Sequence, residues 1–175
     1  MLTGYISSFD ATGVNGTATD FGGNVYNFYN LYLPTKNKAY LGSIIQFTTA
    51  YDYAMGGTLA QNISLPYYFL QDNCQTFKSI EQPTPLSFTS TSYVANTNYY
   101  VWVKDKQENV FALYLKSDAN KNINITDANL PQGFFNDYFG NFSVLVTADI
   151  LRQNVVNYVD GTGTYPLIIF TKWLH

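Results

Sequence analysis

Residues 43–51, SIIQFTTAY, followed after Asp52-Tyr53-Ala54-Met55-Gly56-Gly57 by residues 58–64, TLAQNIS, decide the fold class. Both runs favour β-branched and aromatic residues, and the segment between them carries the Asp and Gly of a turn. Alternation puts Ile45 and Phe47 on one face of the first run, as a strand with one buried face requires.

The same grammar repeats outward from this pair. Short runs rich in Tyr, Val, Ile, Phe and Thr recur about every ten residues, with Gly, Asn, Asp and Pro between them. That spacing belongs to an all-β sandwich or barrel. Strands are expected at 3–9, 15–19, 25–29, 43–51 and 58–64, then at 86–93, 98–104, 109–116, 141–148 and 165–173. Residues 98–104 and 109–116 flank Asp105-Lys106-Gln107-Glu108, a connection suited to a hairpin. One short helix is expected over 148–159, where Ile150, Leu151, Val155 and Tyr158 recur at helical spacing between Thr147 and Gly161. Pro66 closes the first group of strands, and Pro83-Thr84-Pro85 reads as a stiff connector. The expected organisation is therefore a domain over 1–66, a linker over 67–85 and a β-rich, sandwich-like domain over 86–175.

Composition narrows the function more than it names it. Charged residues make up 12% of 175, half the usual quarter, while aromatics reach 18% with 16 Tyr and 13 Phe. Such a chain is not disordered, and no window approaches the 18 apolar residues of a membrane helix. The opening MLTGYISSFD has no basic or apolar leader segment, so no secretory signal is expected. The net charge is -3, and the densest basic spots, Lys36/Lys38 and Lys104/Lys106, read as solubilising turn residues rather than a phosphate-tracking patch. Cys74 is alone, with no Lys or Arg beside it to favour a thiolate. The only histidine is the last residue, His175, so histidine-based hydrolase chemistry lacks its parts. No enzyme, catalytic residue, cofactor or metal is expected.

Two polar constellations invite a site reading and fail on detail. Asp118, Asn120, Asn122, Asn124 and Thr126 stand at calcium-loop offsets, but Ile123 replaces the turn glycine and Asn129 the bidentate Glu. A plain polar loop is the expectation there. Asp105 and Glu108 share an exposed turn that gives no reason for separated pKa values. Sequons at Asn15, Asn62, Asn124 and Asn141 are expected by chance in a chain with 18 Asn.

Residues 3–65 resemble a cold-shock domain, a five-stranded OB-type barrel. The matching segments are Gly4-Tyr5-Ile6-Ser7-Ser8-Phe9-Asp10, Gly16, Val25-Tyr26-Asn27-Phe28-Tyr29, Gly42-Ser43-Ile44-Ile45-Gln46-Phe47 and Gly57-Thr58-Leu59-Ala60-Gln61-Asn62-Ile63, in family order and spacing. The resemblance implies a closed barrel with Ile6, Phe9, Val25, Ile45, Phe47 and Ile63 in its core. It also implies a base-stacking face on two adjacent strands. The first strand's stacking aromatics are replaced by Asn15 and Thr17, and the Trp-like position by Ser8, whereas Tyr26, Phe28 and Tyr29 keep the second strand's rings. Tyr26, Phe28 and Tyr29 are therefore the candidate binding face. Phe134, Phe135, Tyr138 and Phe139, in a turn-flanked aromatic stretch, are a candidate contact loop.

Two function classes follow. The first is a non-enzymatic structural or assembly protein that buries Tyr/Phe-rich β surfaces against protein partners or copies of itself, a composition associated with virion and surface-lattice components. The alternative is an OB-fold single-stranded nucleic-acid-binding protein. On the first, the rings of 26–29 are expected to pack against residues 67–175 or another subunit.

Overall fold

The computed structural model describes residues 1–31, 39–65, 86–104, 110–130, 143–150, 154–160, 163–165 and 168–169. They fall into two compact units, Met1–Tyr67 and Tyr68–His175, each with its own core. The described residues contain strands and turns and no helix. The stretch expected to be a linker, 67–85, lies outside the described residues.

The first unit consists of β1 (Leu2–Phe9), β2 (Gly16–Asp20), β3 (Val25–Phe28), β4 (Ile44–Tyr51) and β5 (Thr58–Ser64). They close into a barrel in the order β1-β2-β3-β5-β4, with β4 returning to β1. Neighbours run antiparallel except β3 and β5, which meet in parallel at a single pair, Asn27 opposite Leu59.

Two glycines allow the tight approach of β1 and β2. A Cβ on Gly4 would sit 2.2 Å from the Thr19 carbonyl oxygen, and one on Gly16 would sit 2.0 Å from that of Ser8. The register shifts between Ile6 and Ser8, so Ser7 and Ser8 together oppose Thr17. This bulge brings both Ile6 and Phe9 to the core, which strict alternation would forbid for residues three apart. Ile6, Ala18, Phe28, Ala39, Ile45, Phe47 and Ala60 form that core, with Phe9, Tyr26, Leu31, Ile63 and Leu65 packed against it. Each fully buried Ile or Phe contributes about 1.5–3 kcal/mol of transfer free energy. Val25, expected inside, is 60% exposed. It is the first residue of β3, and the inward positions of that strand go to Tyr26 and Phe28.

Four turns share one device, three of them closing barrel hairpins and the fourth linking β8 to β9. Asp10, Asp20, Asp52 and Asp118 each stand at the start of a turn and donate the backbone N–H to a carbonyl beyond it: Asn15 at 2.8 Å, Asn24 at 3.0 Å, Gly57 at 3.0 Å and Asn122 at 2.9 Å. Each carboxylate then accepts N–H groups inside its own turn: Thr12 at 2.8 Å, Asn24 at 2.9 Å, Ala54 and Met55 at 3.0 Å, and Asn120 and Asn122 at 2.9 and 2.8 Å. Positive φ residues complete the turns: Gly13, Gly23, Gly56 and Gly57, and Lys121 with φ 64°.

The second unit holds β6 (Leu86–Thr89), β7 (Asn98–Lys104), β8 (Val110–Lys116), β9 (Asn122–Ile125), β10 (Ser143–Thr147), β11 (Asn154–Asp160), β12 (Gly163–Tyr165) and β13 (Ile168–Ile169). One sheet runs β12-β11-β10-β7-β8, with β13 also on β11, and β6 pairs with β9 in a second, two-stranded sheet. β7 and β8 pair in an unbroken antiparallel register, as expected of a hairpin. Tyr99, Val101, Val103, Leu113, Val144, Val146 and Val156 share one core with Ile123 and Ile125 of β9. The opposite face is buried as well, at Trp102 and Leu145, and the Trp102 indole N–H donates to the Thr147 hydroxyl at 3.2 Å.

Two expectations are corrected here. Among the described residues of 148–159 the expected helix is absent, and 154–160 is strand β11, paired antiparallel with β10. Val155, Val156, Tyr158 and Val159 suit a strand better than a helix, and pairing with β10 overrides the helical spacing. The polar stretch after Asp118 becomes strand β9, with Ile123 and Ile125 at 0% exposure.

Candidate functional site

The rings expected to form a stacking face are placed by β3. Phe28 is buried, meeting the Phe9 ring edge-on at 5.7 Å. The Tyr26 ring lies edge-on to Phe47 at 5.2 Å, and its hydroxyl donates to Asp20 at 2.9 Å. That carboxylate holds the Tyr26 hydroxyl above the ordinary tyrosine pKa, and the hydroxyl stays a donor. Phe28 is thus covered by the barrel's own interior and Tyr26 is half-buried against it, so the two are not presented as a flat pair. Of the candidate binding face Tyr26, Phe28 and Tyr29, the structure buries Phe28, half-buries Tyr26 and leaves Tyr29 exposed, at 45%.

The outer side of β1 and β2 carries hydroxyls instead. Ser7 Oγ shares a hydrogen bond with Thr17 Oγ1 at 2.9 Å, Ser8 Oγ shares one with Thr17 Oγ1 at 2.6 Å, and Thr19 Oγ1 donates to Ser7 Oγ at 2.8 Å. The bulge explains why two serines reach one threonine. Tyr5 and Phe21 stack on each other at 6.4 Å.

The exposed rings gather elsewhere, on the β4–β5 hairpin. Tyr51 is 59% exposed, Tyr53 93% and Met55 75%, and the Tyr51 and Tyr53 rings meet edge-on at 4.8 Å. Asp52, buried at 3%, fixes this turn through the bonds given above and also accepts the Tyr29 hydroxyl at 3.2 Å. Partial desolvation, and then the Asp52 carboxylate, push the Tyr29 hydroxyl above its ordinary pKa, so it remains a donor.

Beside this tip lies an open groove of about 530 Å³, lined by Phe28, Tyr29, Asn30, Leu31 and residues 59–63. It exists because β3 and β5 share only one pair and then diverge. Asn62 shapes one wall. It takes φ 52° in a bulge of β5 against β4, and its amide donates to the Thr48 hydroxyl at 2.9 Å.

The sequence carried a signal for the tip: three bulky apolar residues, Tyr51, Tyr53 and Met55, crowd a turn that has no room to bury them. The candidate contact loop of Phe134, Phe135, Tyr138 and Phe139 lies outside the described residues, as do Cys74, Asp105, Glu108, His175 and the lysines Lys36, Lys38 and Lys106. Among the described residues no group of three or more His, Cys, Asp or Glu could hold a metal ion, and no helix is long and apolar enough to cross a membrane. No family model, characterised protein or solved structure matches the chain.

Proposed function

We propose that this chain is a non-enzymatic assembly component that makes protein contacts through the rim of its N-terminal barrel. The observation that carries this reading is the β4–β5 tip, where Tyr53 and Met55 project 93% and 75% exposed from a turn fixed by a buried aspartate. A rigid turn loses little entropy on binding, and Tyr and Met are enriched where proteins meet. The virion or surface-lattice setting associated with the composition belongs to this same proposal.

The second reading is single-stranded nucleic-acid binding. It is favoured by the strand order, which suits an OB barrel, and by the resemblance over 3–65. Against it stand the buried Phe28, the half-buried Tyr26 and a first unit whose only cations besides the N-terminus are Lys36 and Lys38. Two phosphate contacts give a salt slope near two at most. Titration of the full chain with ten-nucleotide oligo-dT separates the readings. No binding is expected at physiological salt. Submicromolar binding that disappears in Tyr29→Ala and Tyr53→Ala would replace the assembly reading with the nucleic-acid one.

A further inference from the structure

The tip and the groove stand side by side on one rim, and Tyr29 belongs to both. It lines the groove, and its hydroxyl ties it to Asp52 at the base of the tip. We propose that the tip of one chain seats in the groove of a second copy, reciprocally, about a two-fold axis. This deepens the assembly reading and rests on it.

Four observations point to a second copy as the occupant. A projection and a recess adjacent on one surface are what an isologous contact needs, since each copy then offers the other both halves. The groove, at about 530 Å³, is within the range of about 300–1,000 Å³ that holds compact ligands, room for one aromatic side chain and its flanking backbone. Its lining suits a tyrosine: Leu31, Leu59 and Ile63 offer apolar wall, while Asn30, Gln61 and Asn62 offer partners for a hydroxyl. The rim is also free of repulsion between copies. Residues 28–31 and 51–64 contain no Lys, Arg or Glu, and their single Asp, Asp52, is buried and bonded within its own turn. Two such rims meet without burying an unpaired charge.

Sedimentation velocity on the full chain from micromolar to a few hundred micromolar tests this. A monomer–dimer equilibrium is expected. Its dissociation constant should rise at least tenfold in Tyr53→Ser/Met55→Ser, which alters only the tip, and equally in Gln61→Lys, which alters only the groove lip. All three side chains lie in solvent, and unchanged circular dichroism and tryptophan emission would verify the fold. In a Cys74→Ser background, a chain with Tyr53→Cys should form a disulfide with a chain carrying Gln61→Cys. A monomer throughout the range overturns the inference, as does a dimer indifferent to both variants or a Tyr53→Cys chain that couples only to itself. Those outcomes leave the broader assembly reading standing. That reading falls instead to the oligo-dT result above.

Discussion

Gly16 sits where β1, β2 and β3 crowd together, opposite Phe9 on one side and Phe28 on the other. Its missing side chain is a packing requirement, because an added methyl would meet the Ser8 carbonyl at 2.0 Å and the Phe28 ring at 2.9 Å. Gly16→Ala is therefore expected to destabilise the barrel by about 3 kcal/mol. Gly13→Ala meets nothing within 4 Å and carries only the left-handed backbone penalty, about 1 kcal/mol. Urea unfolding monitored by circular dichroism ranks the two, and equal losses would refute the close-approach argument. Lys121 has the converse problem: it holds φ 64° with a full side chain. Lys121→Gly should stabilise the second unit by about 1 kcal/mol, read as a raised urea midpoint. At this scale the sequence revealed Ile6, Ile45 and Phe47 as core, because alternation within each strand is local. It misplaced Val25, since one strand-end residue does not declare which face it takes.

At the scale of elements, the turn aspartates make their turns sensitive to acid. Hydrogen bonds hold three of these carboxyls below the ordinary 3.8, led by the Thr12 hydroxyl at Asp10, the Asn24 side chain at Asp20 and the Asn122 backbone N–H at Asp118. A carboxyl whose pKa is lower folded than unfolded stabilises the fold above the unfolded value. That stabilisation is lost as pH falls through the folded value. Stability should thus stay level at neutral pH and decline below about pH 4. Asp20→Asn/Asp118→Asn should be less stable at pH 7 and show a shallower acid decline in urea titrations. The barrel strands were legible because β-branched runs and Asp/Gly turns agree about each boundary. β11 was not, because Ile150, Leu151, Val155 and Tyr158 satisfy a helical period while Val155 to Val159 satisfy strand propensity. Only pairing with β10 decides between them. β9 was hidden for a related reason: Asn122 and Asn124 read as loop residues, yet they alternate with two buried isoleucines.

Across the whole molecule, the two cores share no residue. Both tryptophans, Trp102 and Trp173, fall in the unit Tyr68–His175, and Trp102 is fully buried. Tryptophan emission therefore reports one unit, while circular dichroism reports both. Gly16→Ala should lower part of the dichroism melt and leave the tryptophan melt in place. A parallel shift of both would mean that the units unfold as one. The candidate site was the least legible level, because a groove arises from where β3 and β5 part, and that divergence is written in neither strand alone. The same parting has a kinetic consequence. Every other neighbour in the barrel is joined by several antiparallel pairs, whereas β3 and β5 are joined by Asn27 and Leu59 alone. The cheapest excursion of the native state is to unlatch there, turning the closed cylinder into a curled ribbon ordered β3-β2-β1-β4-β5. Amide hydrogens along β5 that face β3 should then trade with deuterium well before those of β1, through a fluctuation that leaves the hairpins intact.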